Sequence, residues 1–268
     1  MIRGFKHTEE SKRKISEACK GLKRSEATKR KMSIAHKGLK LSEETRKKIS
    51  EARKGFKSTE ETKRKMSESG HLARGNYCKL SSKALEWING ELLGDGCLSS
   101  RSKYSALFIY GSKHYEYIDY VSDTLKAFGI EQAGKIHKKI QKQYGNISYD
   151  YASKCYPELK SIRDKWYPNG KKIVPKDIEL TPLTLRQHYI GDGSLCKSKK
   201  WNSSIILCTN GFSISDVEWL VEQLNNLGFK ATRQPARNII YISSYSTQDF
   251  LNYIGECPVN CYNYKWNC

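Results

Sequence analysis

Apolar residues fall along this chain in two regimes. Through the first quarter they are sparse and regular, with Ile15, Met32, Ile49 and Met66 recurring every 17 residues inside strongly charged runs. The same period carries Gly4, Gly21, Gly38 and Gly55, each opening a unit that reads Gly-(Phe/Leu)-Lys-x-(Ser/Thr)-Glu. Thr8, Ser25, Ser42 and Thr59 stand where a helix N-cap is wanted. The Glu after each suits the positive end of a helix dipole. Each unit predicts a loop and a helix of about two to three turns, closed by the next glycine. With so little apolar surface per unit, stacking into a solenoid is not expected.

From about Ser81 the pattern becomes that of mixed helices and strands, and it occurs twice. Each half starts with a mostly apolar helix ending in Gly-Asp-Gly, over Lys83–Gly96 and Thr181–Gly193. A β-type run follows, Ser105–Tyr110 or Ser203–Cys208. An amphipathic helix comes next, with Ile118, Val121, Leu125 and Phe128 in one half and Val217, Leu220, Leu224 and Leu227 in the other. Gly129 and Gly228 close these helices. Two further strands are expected in each half, including Asn146–Ser153 and Asn238–Tyr245, whose residues alternate. A short helix, Pro157–Ile162 or Thr247–Ile254, completes the half. Asp95 and Asp192 lie 97 residues apart, and Gly129 and Gly228 lie 99 apart. The fold class read from this is α+β: two pseudo-symmetric αββαββα halves forming a saddle, behind an extended array of short helical repeats. The domain boundaries are 1–70 for the repeats, 71–82 for a linker, and 83–175 and 176–268 for the halves.

Charge adds a partner to this picture. The 268 residues carry 48 Lys+Arg against 28 Asp+Glu, a net charge of +20. Residues 1–70 hold 22 of the basic residues and 10 Glu with no Asp, so the front quarter supplies more than half of the excess. An excess this large calls for a polyanion, nucleic acid before anionic membrane. No apolar run approaches the length that spans a bilayer. The N-terminus lacks the apolar block of a secretory signal. The nine cysteines include no Cys-x-x-Cys pair, so reduced thiols in a cytoplasmic protein are expected rather than a disulfide framework or zinc ribbon.

A solvated charged tail needs charge but no period, so the strict spacing favours modules laid along a DNA groove. Their clusters Lys12-Arg13, Lys29-Arg30, Arg46-Lys47 and Lys63-Arg64 would meet phosphates. In the halves, two antiparallel sheets suit the major groove. Candidate DNA-facing residues there are Lys135, Lys138, Lys139, Gln141, Lys142 and Gln143, with Lys230, Thr232, Arg233, Gln234 and Arg237 in the second half. If the two Gly-Asp-Gly helices pack side by side, Gly90 and Gly94 allow close approach, and Asp95 and Asp192 meet. Two adjacent carboxylates repel unless divalent cations neutralise them, and such a pair can hold Mg²⁺ for attack of water on a phosphodiester. His114, His137 and His188 follow no metal-ligand spacing and are expected to be structural or surface residues.

The repeats resemble the short nuclease-associated modular DNA-binding repeats that accompany homing endonucleases. The pattern Gly-x-Lys-x-(Ser/Thr)-Glu-Glu stands clearly in units one and three. Unit two departs with Ala27, and unit four carries Ser58 before Thr59. Ile88–Gly96 and Leu185–Gly193 resemble the two motifs of a single-chain LAGLIDADG homing endonuclease, a likeness that covers about residues 83–267. It implies that Asp95 and Asp192 bind the catalytic metals, helped by the carbonyls of Gly94 and Gly191. It also implies Mg²⁺ as cofactor, with Mn²⁺ as substitute, and cleavage leaving 3′ overhangs at a long double-stranded site by a monomer. Trp166–Pro175 and Cys261–Trp266 resemble the family's segments that supply a catalytic-pocket lysine, here Lys172 and Lys265. Lys172 lies 77 residues past Asp95, Lys265 lies 73 past Asp192, and Lys171 is a rival for Lys172. The second motif departs with Arg186-Gln187 where small residues usually sit, which predicts looser or shifted packing. The first departs with Asn89 and Glu91 at usually apolar places. Two rivals share the scaffold: an RNA-binding splicing cofactor (maturase) acting on its own intron RNA, and a DNA-binding regulator that does not cut.

Overall fold

The structure, a computed structural model, describes residues 8–21, 25–36, 42–55, 58–100, 102–140, 146–197 and 203–267. It divides into two compact units, Met1–Lys63 and Arg64–Cys268. The first carries α1 (Glu9–Cys19), α2 (Glu26–His36), α3 (Glu43–Arg53) and the start of α4 (Glu60–Arg74). The hydroxyls of Thr8, Ser25, Ser42 and Thr59 each accept the backbone N–H three residues on, at 3.2–3.3 Å. Each cap contributes about 1 kcal/mol to its helix. Gly21 and Gly55 follow α1 and α3 at φ +86°, a left-handed conformation that ends a helix at little cost only for glycine. No residue of α1, α2 or α3 is buried, as expected of units with so little apolar surface. The segment read as a linker begins inside a helix. Leu72, Ala73 and Arg74 are good helix formers, and α4 runs on to Arg74 past Gly70.

The second unit repeats one topology. Its first half runs α5 (Ser82–Leu93), β1 (Cys97–Ser99), β2 (Leu107–Ser112), α6 (Tyr115–Ala127), β3 (His137–Ile140), β4 (Ile147–Ala152) and α7 (Pro157–Trp166). Its second half runs α8 (Pro182–Asp192), β5 (Gly193–Cys196), β6 (Ser204–Leu207), α9 (Ile214–Asn226), β7 (Ala231–Gln234), β8 (Ile239–Ile242) and α10 (Thr247–Ile254). Both sheets are antiparallel, with orders β1-β2-β4-β3 and β5-β6-β8-β7. The expected αββαββα duplication is therefore observed. Helix α7 outruns its predicted end at Ile162 because Trp166 is buried and its indole N–H donates to Asn89 Oδ1 at 3.0 Å. That bond also accounts for the polar residue at position 89.

One core serves both halves, with Trp87, Ile88, Phe108 and Val121 continuous with Tyr189, Ile205, Leu220 and Phe250. The predicted stripes of α6 and α9 are buried except at their last members, which cap the helices where the chain turns: Phe128 is half-buried and Leu227 exposed. Among the described residues, no helix is long and apolar enough to cross a membrane.

Candidate active site

Helices α5 and α8 start on similar caps and run side by side. Ser81 and Thr181 accept the N–H of Ala84 and Thr184, and Thr184 Oγ1 donates across to the Glu86 carbonyl at 3.2 Å. Glycine sets how closely the helices pack. A Cβ on Gly90 would sit 2.5 Å from the Thr184 carbonyl oxygen and 2.8 Å from Gln187 Cβ. One on Gly191 would sit 3.1 Å from the Asp95 nitrogen. The looser packing expected from Arg186-Gln187 is not found, because Gly90 on the facing helix yields the space that Gln187 fills. Gln187 is fully buried and donates to the Tyr120 hydroxyl at 3.3 Å.

This contact joins the two acidic motifs. A Cβ on Gly94 would lie 3.3 Å from Gly191 Cα, so Asp95 and Asp192 each directly follow a glycine of a second close contact between the helices. Asp95 is exposed and Asp192 half-buried. Burial, then the neighbouring charge of Asp95, pushes the Asp192 carboxyl up to about 6 against the pull of Lys172 and Lys265. Desolvation and the second carboxylate together therefore outweigh the attraction of the two ammonium groups at Asp192. No cluster of three His, Cys, Asp or Glu able to hold a metal occurs among the described residues. Two carboxylates still fit Mg²⁺, which takes one or two from protein and completes its shell with water and substrate phosphate.

Both predicted lysines sit at the C-terminal ends of these helices. Lys172 Nζ donates to the carbonyls of Gly94 at 3.2 Å and Gly96 at 3.0 Å. Lys265 Nζ donates to Ile190 at 2.6 Å, Tyr189 at 3.3 Å and Gly191 at 3.4 Å. Carbonyls at a helix C-terminus carry its negative dipole end and stabilise each ammonium. Burial nonetheless pushes both lysines below their usual range, and the two aspartates oppose that shift. The rival Lys171 is exposed. The carbonyls of Gly94 and Gly191, implied as metal ligands, each accept from a lysine here. Each oxygen has a second lone pair.

Beneath the aspartates lie groups the sequence did not single out for chemistry. Glu91 is fully buried, and burial pushes its carboxyl up to about 8. The Tyr117 hydroxyl lies 2.5 Å from Glu91 Oε1 and 3.1 Å from Gln187 Oε1. One hydroxyl proton cannot serve both acceptors. A protonated Glu91 donating to Tyr117, which then donates to Gln187, satisfies the chain. His188 is also fully buried, and neither ring nitrogen has a hydrogen-bond partner. Burial, then the charges of Lys172 and Lys265, pushes it down to about 3. His137 is exposed, and His114 packs edge-on against Tyr262.

The sheets distribute the predicted DNA-facing residues less simply than the sequence suggested. Phe108, Tyr110, Ile205, Leu207, Ile240 and Ile242 cover one face of each sheet with the core. Lys139 pairs with Ser148 on the opposite, open face and forms an ion pair with Asp150. Lys138 takes the core-side direction at the edge strand, because side chains alternate. Thr232 and Gln234 share the open face with Tyr241 and Ile239. Arg233 does not: it pairs with Ile240 on the core side and reaches Glu218 of α9 at 3.4 Å. Lys230 lies over the Tyr245 ring, and Lys135 and Arg237 are exposed in loops. Gln141, Lys142 and Gln143 lie outside the described residues. In the repeats, Lys12, Lys29, Arg46 and Lys63 pair with first-turn glutamates, and Arg13 pairs with Glu17. Arg30, Lys47 and Arg64 are exposed.

The chain resembles known proteins in both of its parts. The NUMOD3 motif matches residues 4–24, 21–40 and 38–67. The chain is 30% identical over 150 residues to an uncharacterized protein of Methanocaldococcus jannaschii, covering 55% of this chain and 58% of that protein. It is 28% identical over 163 residues to the cytochrome b mRNA maturase bI2 of Debaryomyces hansenii, covering 54% and 57%. The chain thus spans a little over half the length of these relatives. Its fold is similar to that of the homing endonuclease I-WcaI bound to its DNA recognition sequence, with a TM-score of 0.60 and 23% identity over 70% of this chain and 88% of that one. Residues 85–250, holding both Gly-Asp-Gly helices and both sheets, match the LAGLIDADG DNA endonuclease family, and the chain belongs to it.

Proposed function

We propose that the protein is a Mg²⁺-dependent, site-specific double-strand DNA endonuclease of the homing type, working as a monomer. The observation that carries this is the paired arrangement at the helix ends: Asp95 and Asp192 at the glycine contact, with Lys172 and Lys265 each held on backbone carbonyls beside them. Asp95 and Asp192 would hold the cation, with the free lone pairs of the Gly94 and Gly191 carbonyls in reach of the same site. When bound, Mg²⁺ or Mn²⁺ supplies Lewis-acid stabilisation of a nucleophilic water and of the leaving oxygen.

The chain's own residues do the rest. Asp192 is ionised above about pH 6 and accepts hydrogen bonds from water near the scissile phosphate. Lys172 and Lys265, anchored on the helix ends, orient that water and set positive charge against the phosphoryl oxygens as the bond to the leaving oxygen lengthens. The repeats would add sequence-tolerant affinity through phosphate contacts and make binding steeply salt-dependent.

Likeness to a maturase supports a second reading, in which the protein binds intron RNA. Splicing assistance needs the basic surface but not both acids. Digesting a randomised duplex library with and without Mg²⁺, beside an Asp192→Asn protein, separates the readings. Metal-dependent ends at one long site, absent with the variant, are expected. Tight, salt-sensitive DNA binding with no breaks would sink the nuclease reading and make structured intron RNA the next substrate.

A further inference from the structure

The open face of the second sheet carries a cavity of about 530 Å³ that the catalytic groups do not use. Ser194, Ile206, Cys208, Asn210, Arg237 and Ile239 line it. Strand register explains its chemistry. Ile206 pairs with Tyr241 and Gln234 with Ile239, so both isoleucines project to the face opposite Ile205 and Ile240 and form an apolar floor, with Ile206 half-buried and Ile239 only 6% exposed. The rim is polar, with a hydroxyl, an amide and a guanidinium, and no carboxylate lines it.

The cavity is held in shape and adjoins the candidate active site. Asn238, at φ +50°, follows Arg237 in the β7–β8 turn; its amide donates to the Phe212 carbonyl at 3.0 Å, and its carbonyl accepts from Thr209 Oγ1 at 2.9 Å. The turn that carries Arg237 is thereby tied to the loop that carries Asn210. Ser194 lies two residues past Asp192, and the Cys208 N–H donates to the Asp192 carbonyl at 2.8 Å.

Isoleucines do not bind phosphate. What the major groove offers an apolar floor is the C5 methyl group of thymine, while arginine and asparagine match the edges of guanine and adenine. The absence of a carboxylate suits a polyanion, and the first sheet differs, since its open face carries the Lys139–Asp150 ion pair. We infer that this cavity reads a thymine methyl group in the DNA target, with Ile206 and Ile239 as specificity-determining residues and Arg237 and Asn210 on the neighbouring base edges. The inference rests on the DNA-endonuclease reading above.

The test uses the full chain and a target recovered by selection for binding rather than cutting. Each thymine is replaced singly by uracil, which lacks only the methyl group, and both affinity and cleavage are measured. At one position uracil should weaken binding about fourfold, the value of one buried methyl. 5-Methylcytosine there should bind more tightly than cytosine. Ile206→Ser should abolish this discrimination at that position alone. Ile206→Val, which keeps the fold, should reduce it. No uracil-sensitive thymine, or full discrimination in both variants, overturns the assignment. A duplex bound with uracil discrimination but never cut leaves the cavity assignment standing and removes the nuclease reading. A duplex cut without any uracil effect does the reverse.

Discussion

Replacing Glu91 by glutamine should change how stability depends on pH rather than stability alone. Glu91, on α5, is fully buried with its carboxyl against the Tyr117 hydroxyl of α6, and that carboxyl is raised from 4.5 to about 8. Glutamine has nearly the same volume and can still donate to the Tyr117 hydroxyl, so the variant isolates the ionisation. In the unfolded chain the carboxyl ionises near 4.5, but in the folded protein it holds its proton until about pH 8. The unfolded state therefore binds fewer protons throughout that window. The contribution of Glu91 is full below pH 4.5 and is lost as pH rises toward 8. Each pH unit costs about 1.4 kcal/mol, so the stability of the natural protein relative to Glu91→Gln should fall by about 4 kcal/mol between pH 5 and 8. Urea unfolding followed by tryptophan fluorescence at pH 5, 6, 7 and 8 measures this difference directly. His188 acts in the opposite direction, because burial lowers it from 6.5 to about 3 and stability is lost as pH falls through that range. It is common to both proteins and cancels. A difference that stays constant from pH 5 to 8 would show that Glu91 is ionised in the fold and would refute the protonated Glu91–Tyr117–Gln187 chain.

Gly90→Ala should destabilise the second unit by about 1–3 kcal/mol, since the added methyl meets the Thr184 carbonyl rather than a flexible side-chain end; thermal unfolding measures it, and an unchanged midpoint would contradict the close helix contact. On the proposed mechanism, in which the ammonium serves the reacting phosphate rather than general attraction, Lys265→Met should lower single-turnover cleavage about 100-fold while DNA affinity stays within a few-fold. Equal losses in affinity and rate would instead mark Lys265 as a binding residue. Arg30→Glu and Lys47→Glu, both at exposed positions of the repeats, should each flatten the plot of log affinity against log salt by about one unit of slope and weaken all duplex sequences alike. A change confined to one target sequence would argue that the repeats read bases.

Much of the architecture was legible in the sequence because it is written in local periods. The 17-residue spacing, the hydroxyl before each glutamate and the two Gly-Asp-Gly helices follow from short-range rules for caps, dipoles and turns. The structure shows them close to where those rules put them. Lys172 and Lys265 were placed by resemblance and by similar spacing from the aspartates, and both lie on the ends of the paired helices. Which face a side chain takes was not legible in the same way. Arg233 and Lys138 read as DNA-facing cations in basic strands, yet alternation together with the helices covering one face turns both toward the core side. The fit of Gln187 into the space left by Gly90 also escaped the sequence, because it joins two segments nearly a hundred residues apart. The same holds for Glu91 and His188, whose proton affinities are set by how completely the packed helices exclude water. Local sequence determined the elements and the order in which they repeat. Only tertiary packing decided which residues meet, which face stays open, and which ionisable groups keep or lose their protons, since desolvation and close contact depend on atoms the chain brings together from afar.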